Sequence, residues 1–331
     1  MIFNKETSLV TFGDFIDIYL KVKKKGVKFV FHKLFNLSYK DKVSSKWDNF
    51  SSESDFWIIP EIKQHWNKII SGNPMVSYEE YVSTTYFNTQ SNLNLLSVGC
   101  GEGIHERNFY KYLNFKECLG VDISEGSISA AQKLAALEQK TITYKASNFS
   151  NLDFSGKKFD IILFDSSLHH FKNIHEFLNT QIKPLLKENG VLVIVEYCGP
   201  NRLQWKNAQL KKSNEILKQL PKKYKIFTKD GFLKRKVYRP GFIRVCAVDP
   251  SEAPDSANLV EALHANFDVL EEKNLGWNII QPLLKGIAHN FLDSTPETKM
   301  WIDFILKEEE RFLNEKANLS DAIFGIYKLK T

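Results

Sequence analysis

The sequence predicts an α/β protein built on a doubly wound, mostly parallel sheet of seven strands, and three observations support this prediction. From about residue 91, short apolar runs alternate with stretches of helical character, which is typical of strand–helix–strand units. The run Phe159–Phe164 (FDIILF) is almost uniformly apolar, as expected of a strand that is covered on both faces. The run Leu93–Val98 leads straight into a glycine-rich loop, and folds of this class bind ligands where parallel strands end.

The predicted strands are short and are separated by helix or turn signals. In chain order they are Leu93–Val98, Cys118–Val121, Thr141–Lys145, Phe159–Phe164, Val191–Val195, Phe267–Glu271 and Ala322–Leu329. The alanine-rich stretch Ser127–Gln139 and the stretch Thr298–Lys316 are predicted to be helices. Another helix should run to Leu185, and Asn189-Gly190 should form the turn before the fifth strand.

The composition is that of an ordinary globular protein. Of the 331 residues, 43% are hydrophobic and 25% are charged, which disfavours disorder over most of the length. The four cysteines are widely spaced and form no CxxC pair, which excludes a disulfide scaffold and a cysteine zinc site. No apolar run approaches 18 residues, and the N-terminus lacks the pattern of a signal peptide. We therefore expect a soluble, cytoplasmic protein.

Two regions are expected along the chain. Residues 1–90 should form a helical and irregular N-terminal extension with aromatic anchors at Trp47, Trp57 and Trp66. Residues 91–331 should form the α/β domain, with a basic insertion at about 200–255 after the fifth strand.

The net charge of +6 is concentrated in two basic segments. Residues 21–46 contain nine lysines and one aspartate, interleaved with large apolar side chains. This pattern fits either a solvated face or peripheral contact with an anionic membrane, at its inner face for a cytoplasmic protein. Residues 206–244 contain thirteen lysines or arginines and two acidic residues. They could form a solvated face or bind an anionic substrate.

The loop Gly99–Gly103 (GCGEG) lies between the first strand and a helical stretch. Glycines allow the chain to turn sharply and a ligand to approach the backbone, and the helix start offers free N–H groups. Nineteen residues after Gly103, the second strand ends in Asp122, which can accept both ribose hydroxyls of a nucleoside. The loop reads GxGxG, with Ile104 where a nicotinamide or flavin fingerprint has glycine, and this disfavours a dehydrogenase.

This pattern resembles motif I of the class I S-adenosylmethionine-dependent methyltransferases, which have a Rossmann-like fold, and the strong resemblance spans about residues 93–197. It implies S-adenosylmethionine as the cofactor. The cofactor-binding residues it implies are Gly99, Cys100, Gly101, Gly103, Asp122, Ile123, Asn148, Phe149 and Asp165. Ser97 stands where the family usually has the acid that faces the methionine ammonium. Asp165 or a backbone carbonyl would then have to supply that contact.

The loops after the fourth and fifth strands should form the catalytic wall, because both leave the same edge of the sheet as the glycine loop. The fourth strand is followed by DSSLHH at residues 165–170, and His170 is the first candidate for the general base. His169 and Glu196 are the other candidates. The residues expected to contact the acceptor are Tyr197, Asn201, Trp205, Arg239 and Arg244. The spacing of potential ligands predicts no metal.

The predicted activity is methyl transfer to an oxygen or nitrogen of a small molecule or glycan intermediate, which could be anionic or lipid-linked. Three segments, at residues 193–205, 248–253 and 286–291, resemble a bacterial branch of the family from polysaccharide or natural-product biosynthesis. One alternative is a nucleic-acid methyltransferase that uses residues 206–244. It is disfavoured because Asp-Ser-Ser, not an Asn-Pro-Pro-Tyr type of sequence, follows the fourth strand. Another alternative is a cofactor-binding assembly protein without catalytic activity. The oligomeric state stays open.

Overall fold

A computed structural model describes residues 6–26, 55–227, 231–315 and 318–330. In this part of the chain, seven strands form one sheet in the order β3-β2-β1-β4-β5-β7-β6. The strands are β1 (Leu93–Val98), β2 (Phe115–Asp122), β3 (Thr143–Ala146), β4 (Phe159–Asp165), β5 (Leu186–Tyr197), β6 (Phe267–Gly276) and β7 (Ala322–Leu329). Strands β1 to β5 pair in parallel, whereas β7 is antiparallel to both β5 and β6. The predicted doubly wound, mostly parallel sheet is confirmed.

Helices cover both faces of this sheet. They are α1 (Phe12–Lys25), α2 (Pro60–Ser71), α3 (Tyr78–Tyr86), α4 (Ile104–Phe109), α5 (Glu125–Leu137), α6 (Ile174–Phe177), α7 (Asn207–Gln219), α8 (Phe242–Val248), α9 (Leu259–Asn266), α10 (Ile280–Leu284) and α11 (Pro296–Asn314). Local sequence sets several of their ends. Proline occupies the first position of α2, and Gly72 ends that helix in the left-handed conformation. The Ser124 side chain caps α5 by accepting a hydrogen bond from the Ser127 amide.

Two sequence predictions between β4 and β5 were wrong. Asn189-Gly190 lies within β5, at a point where the pairing with β4 shifts register, and does not form a turn before it. A side chain at Gly190 would lie 2.8 Å from the carbonyl oxygen of Phe159, so glycine permits the close approach of these strands. The expected helix to Leu185 is α-helical only over α6 and continues as a π turn and a 3₁₀ turn. Pro184 lies in this last turn and has no N–H to extend the α-helical hydrogen bonding.

The core lies on both faces of the sheet, because alternate residues of each central strand point to opposite sides. On one face, Leu95, Ile161 and Val193 are fully buried in a cluster that extends to α2 and α11. On the other face, Leu96 and Ile162 are fully buried with side chains of the β4–β5 connection and α9. Burying each of these side chains contributes about 1.5–3 kcal/mol, which fixes the central strands whose ends carry the loops described below.

The N-terminal segment contacts the rest of the chain at two places. Helix α1 packs beside the insertion after β5, where Asp14 accepts hydrogen bonds from the Gly241 amide and the Arg244 side chain. Helices α2 and α3 pack near β6 and α4, close to the strand ends. The basic segment 21–46 and Trp47 lie outside the described residues from position 27 onward. Among the helices that the structure describes, none combines the length and apolar character needed to cross a bilayer.

Candidate active site

A cavity of about 1020 Å³ opens where β1, β2 and β4 end. Its walls come from the glycine loop, from the residues after β2, β3 and β4, and from helices α2 and α3. Ligand pockets usually measure about 300–1000 Å³. The cavity is therefore large enough for two small ligands side by side.

The glycine loop takes a shape that favours glycine, since Gly99, Gly101 and Gly103 have φ angles of +73°, +52° and +71°. A side chain at Gly101 would meet no atom within 4 Å, so this position presents bare backbone to open space. A side chain at Gly99 would lie 2.4 Å from the Cβ of Ser167, so glycine here lets the β4 loop pack against the β1 loop.

Gly103 does not line the cavity, which corrects its predicted contact with the cofactor. A side chain there would lie 2.2 Å from the hydroxyl oxygen of Tyr144, which donates a 3.3 Å hydrogen bond to the Gly103 carbonyl. Gly103 instead allows helix α4 to begin against Tyr144 on β3. The other eight predicted cofactor residues all line the cavity.

Asp122 is held beside the glycine loop by backbone amides. Its Oδ2 accepts a hydrogen bond from Gly101 at 3.0 Å, and its Oδ1 accepts one from Ser124 at 2.8 Å. Farther along the same wall, the Asn148 side-chain oxygen accepts a 3.1 Å hydrogen bond from the Ser150 amide. The Asp122 carboxylate is thus oriented before any ligand binds.

A charged cluster of Tyr78, Glu79, His105 and Asp165 forms a wall that the sequence analysis missed in part. The Tyr78 hydroxyl donates to Asp165 at 2.9 Å, and His105 Nδ1 lies 2.9 Å from Glu79 Oε1. The other ring nitrogen of His105, Nε2, lies 3.2 Å from Asp165 Oδ2. Ser97, in contrast, is buried in β1 and does not line the cavity. The acids of this cluster come from α3 and β4.

The protonation states of the cluster follow from its geometry. Burial alone would lower the pKa of His105, but the Asp165 and Glu79 carboxylates outweigh burial and raise it to about 9. Burial would raise the pKa of Glu79, but hydrogen bonding and attraction to His105 lower it to about 2. The pKa of Asp165 is raised, because its burial outweighs the attraction of His105 and the Tyr78 hydrogen bond. At neutral pH His105 is therefore an imidazolium that lies next to the ionised carboxylate of Glu79.

Glu196 is fully buried and organises the loop after β4, so it does not reach the cavity as a base would. Its carboxylate accepts hydrogen bonds from the amides of Ser167 and Leu168, the latter at 2.7 Å. It also lies 2.6 Å from Nδ1 of His169. His169 is itself buried and does not line the cavity. The structure therefore assigns both residues to shaping the loop and leaves His170 as the cavity-lining histidine of this pair.

The hydrogen bonds of His170 define which of its nitrogens carries the proton. Its Nδ1 lies 3.0 Å from the carbonyl oxygen of Ser251 and 3.2 Å from the Ser251 hydroxyl, which itself donates to Asp249. A carbonyl oxygen only accepts, so Nδ1 carries the proton in this arrangement. The neutral ring then has its lone pair on Nε2. Fixing the tautomer in this way is typical of histidine bases.

Donor atoms of His170, Asp249 and Glu252 lie within 4.8 Å of one another. Asp249 and Glu252 are about 80 residues from the histidine in sequence, so their spacing gave no signal. The prediction that the protein holds no metal stays untested.

The structure does not place the predicted acceptor residues in the cavity wall, which corrects that part of the sequence analysis. Tyr197 and Trp205 are buried, with the Tyr197 hydroxyl donating to the Pro200 carbonyl and the Trp205 indole to Gln281. The Asn201 side chain accepts from the Ala257 amide at 2.8 Å. These side chains belong to the internal packing of the insertion.

Arg239 and Arg244 of the basic insertion attach the N-terminal segment to it. Arg239 donates to the carbonyl of Trp205 at 2.7 Å and to Ser8 at 3.2 Å. Arg244 contacts Asp14 at 2.6 Å and Asp17 at 3.1 Å. Both guanidinium groups make these contacts within the protein, so the structure does not support the predicted contact with an anionic substrate.

Another part of the cavity wall is aromatic and aliphatic. Its residues are Trp57, Trp66, Ile70, Leu275 and Trp277, which together we call the aromatic chamber. Trp57 precedes α2, Trp66 and Ile70 lie on α2, and the other two lie at or just beyond the end of β6. The cavity thus has a half formed by the strand ends and a half formed by these side chains, with the charged cluster lining the wall as well.

The fold and the cavity together define a nucleoside-binding α/β enzyme. The chain belongs to the class I S-adenosylmethionine-dependent methyltransferases, since the model of a family described as "Methyltransferase domain" matches residues 89–266, more than half of its length. This membership removes the dehydrogenase alternative and makes S-adenosylmethionine the cofactor.

Curated relatives and solved structures resemble parts or most of the chain. A ubiquinone biosynthesis O-methyltransferase of Bartonella tribocorum is 27% identical over 190 residues, which are 55% of this chain and 74% of that protein. The enzyme of the same name from Bartonella bacilliformis is 30% identical over 43% of this chain and 57% of its own length. Among solved structures, the plantazolicin methyltransferase BpumL with SAH is 17% identical, with a TM-score of 0.43, covering 95% of this chain and 100% of BpumL.

Proposed function

We propose that the protein transfers a methyl group from S-adenosylmethionine to an oxygen of a small-molecule acceptor. The observation that carries the proposal is the presence of His170 in the same cavity as the glycine loop and Asp122. The two Bartonella relatives are named as O-methyltransferases, which supports oxygen as the methylated atom. The experiment below distinguishes this acceptor from two others, a nitrogen atom and a glycan.

The residues of the strand-end half fit the nucleoside part of the cofactor. Gly101 leaves bare backbone where a side chain would obstruct a ligand, and Asp122 presents an oriented carboxylate beside it. In this proposal, Asp122 accepts hydrogen bonds from the ribose hydroxyls, while Ile123 and Phe149 pack against the adenine. Asn148 offers the second lone pair of its side-chain oxygen to the adenine amino group.

The charged cluster fits the methionine end of the cofactor. Two carboxylates and one imidazolium give this wall a net negative charge when all three are ionised, and the cofactor carries an ammonium and a sulfonium. Asp165 and Glu79 would therefore take the role of the acid that Ser97 does not supply. His105 would hold these two carboxylates in place and offer a positive group to the methionine carboxylate.

His170 is proposed as the general base. When bound, the cofactor supplies a methyl carbon that leaves its sulfur as the bond to the acceptor oxygen forms. In this proposal His170 takes the hydroxyl proton of the acceptor, while the Ser251 carbonyl holds its ring in place. Glu196 holds the loop that carries His170, so it acts as a positioning residue.

The test is to supply the purified protein with S-adenosylmethionine labelled in the methyl group and with acceptors that carry hydroxyl, amine or carboxylate groups. We expect label in an ether product of a hydroxyl acceptor, with one equivalent of S-adenosylhomocysteine released. Label only in amines or only in carbohydrate acceptors would overturn the proposal.

We also propose peripheral membrane contact through α1 and the basic segment that follows it. Phe12, Phe15 and Tyr19 on α1 are 64%, 62% and 51% exposed, and Lys21 and Lys23 lie on the last turns of the same helix. Exposed aromatic side chains beside lysines favour an anionic lipid surface. Co-sedimentation with phosphatidylglycerol vesicles at low salt, and release at high salt, is the expected result. Equal recovery with neutral vesicles would exclude this contact.

A further inference from the structure

The turn at residues 249–253 of the basic insertion lies against the loop after β4. It follows α8 directly, and the chain reverses as the Glu252 N–H donates to the Asp249 carbonyl at 3.1 Å. Ser251, in the middle of the turn, lines the cavity and contacts His170. The turn therefore joins the insertion to the proposed base.

Arg202, just after β5, holds the backbone of this turn. Its side chain donates to the carbonyl oxygens of Pro250 at 2.9 Å and Glu252 at 3.0 Å, and its N–H donates to the Ala253 carbonyl at 2.6 Å. Arg202 and Ala253 have positive φ angles, of +58° and +44°. Residues other than glycine keep such a conformation only where the surrounding contacts fix it. The turn is therefore a defined structure.

Asp249 fixes the orientation of Ser251. The side chain of Asp249 is buried, and its Oδ1 accepts hydrogen bonds from the Ser251 N–H at 2.9 Å and from the Ser251 hydroxyl at 2.6 Å. An ionised carboxylate only accepts, so the hydroxyl proton points towards Asp249. The lone pairs of the hydroxyl oxygen are then left for other donors, and His170 Nδ1 lies 3.2 Å away.

His170 Nδ1 thus faces two acceptors of one serine, the Ser251 carbonyl oxygen at 3.0 Å and the Ser251 hydroxyl oxygen. A hydroxyl can donate as well as accept. Without the Asp249 carboxylate, the Ser251 hydroxyl would be free to donate to an unprotonated Nδ1 and so stabilise the opposite tautomer of His170. The carboxylate of Asp249 prevents this because it takes the hydroxyl proton for itself.

We propose that Asp249 is a positioning residue for His170, which acts through Ser251 to keep the proton of the neutral ring on Nδ1. The inference rests on the proposed function, since it concerns the base of the same site. Glu196 holds the loop that carries His170 from the β5 side, and Asp249 holds the ring from the side of the insertion. The insertion thereby contributes to catalysis through an acidic turn.

The first test observes the His170 ring in the full chain, without any acceptor. Protein labelled with ¹⁵N in its histidine rings is studied by NMR at high pH, and the His170→Gln spectrum assigns the signals. In the unaltered protein we expect the neutral ring of His170 to carry its proton on Nδ1. A proton on Nε2 in the unaltered protein would overturn the inference, whether or not any variant folds.

Two variants and their combination test the role of Asp249 itself. Asp249→Ala should give a mixture of the two tautomers, because the Ser251 hydroxyl can now donate to His170. Asp249→Ala combined with Ser251→Ala should restore the proton to Nδ1, because the competing donor is gone and the Ser251 carbonyl remains. A merely structural effect of Asp249→Ala would not be reversed by a second deletion. A ring that keeps its proton on Nδ1 in Asp249→Ala would overturn the inference.

The conservative variant separates the acceptor oxygen from the charge. Asp249→Asn should keep the proton of His170 on Nδ1, because the Ser251 N–H selects the amide oxygen at the place of Oδ1 and the hydroxyl can donate to the same oxygen. A tautomer mixture in Asp249→Asn equal to that in Asp249→Ala would contradict a role that acts through these hydrogen bonds.

The second test is kinetic and uses the acceptor that the label-transfer experiment identifies. Asp249→Ala should lower kcat about 10- to 100-fold, as removal of a group that orients a functional histidine typically does. The KM for S-adenosylmethionine should stay within about twofold. Asp255→Ala is the control, because Asp255 accepts from the Ile174 amide at 2.9 Å and so joins the same insertion to the start of α6 without lining the cavity. Equal kcat in these two variants would contradict the role of Asp249.

These outcomes are distinct from a failure of the proposed function. Loss of cofactor binding in the unaltered protein, or label transfer only to amines, would contradict the function itself, and the NMR test would still report on Asp249 and His170. Oxygen methylation at the normal rate in a folded Asp249→Ala protein would contradict only the role of Asp249.

Discussion

The two halves of the cavity are constructed in different ways. The half at the strand ends consists of residues that directly follow β1, β2, β3 and β4, so each lies next to its strand in sequence. The aromatic chamber combines Trp57 and Trp66 with Trp277, which is more than 200 residues later. Strand order alone assembles the first half, whereas the second depends on how α2 and the turn after β6 pack together.

The two halves of the cavity should respond differently to mutation. Changes at strand ends should alter the binding of one ligand while the fold is retained, because the sheet underneath is fixed by its own core. A residue that acts on the reacting atoms should show the largest effect on turnover.

The largest effect is expected at His170, which lines the cavity and is proposed to act on the acceptor. His170→Ala should reduce kcat by on the order of 10²–10⁴, because the acceptor loses its general base. Cofactor affinity should stay within about twofold, which steady-state kinetics and calorimetry together can establish. His169→Ala is the control. It should lower the free energy of unfolding and have a smaller effect on kcat, because His169 is buried against Glu196. Equal kcat in His170→Ala and the unaltered enzyme would remove the base from this position.

The charged cluster should make stability depend on pH in two directions. The folded-state pKa of His105 is raised from 6.5 to about 9, so its contribution is complete below pH 6.5 and is lost as pH rises through 9. The loss should approach about 3 kcal/mol at most. The pKa of Glu79 is lowered from 4.5 to about 2, so its contribution is present above pH 4.5 and is lost as pH falls towards 2.

Urea denaturation between pH 6 and pH 10 measures the alkaline part of this dependence. His105→Gln should be less stable than the unaltered protein at pH 6, and its free energy of unfolding should change less between pH 6.5 and 9. Parallel curves for the two proteins would show that His105 does not carry the proton in question.

Asp122 tests the strand-end half separately from the aromatic chamber. Asp122→Ala should weaken S-adenosylmethionine by about 2 kcal/mol, roughly 30-fold, because hydrogen bonds to both ribose hydroxyls are lost. Asp153→Ala provides a control at an exposed acid outside the cavity. Cofactor affinity equal in the two variants would contradict the role of Asp122.

The difference between the two halves of the cavity also explains which features the sequence could predict. Strands β1 and β7 have the predicted bounds, and most of the strand-end half was found because glycine spacing and Asp122 mark it locally. The prediction that Gly103 contacts the cofactor was wrong, because a glycine at this position also permits close packing against Tyr144. Tyr78 and Trp277 gave no signal, since their partners are distant in sequence. The prediction that Tyr197 and Trp205 contact the acceptor was wrong for a related reason. Polar and aromatic residues that follow a strand can pack inside the protein as well as face the cavity.

The smallest effect on activity is expected at Arg244, which the sequence suggested as an acceptor contact and the structure places between α1 and the insertion. Arg244→Met retains much of the side chain's length while removing its ion pairs to Asp14 and Asp17. Because the arginine is largely buried, we expect a loss of about 1–2 kcal/mol in stability, measured by urea denaturation. The KM values for cofactor and acceptor should change less than twofold, since Arg244 does not line the cavity. A large rise in the KM of the acceptor alone would show that the basic insertion contacts the substrate. The acceptor site would then extend beyond the cavity into the basic insertion.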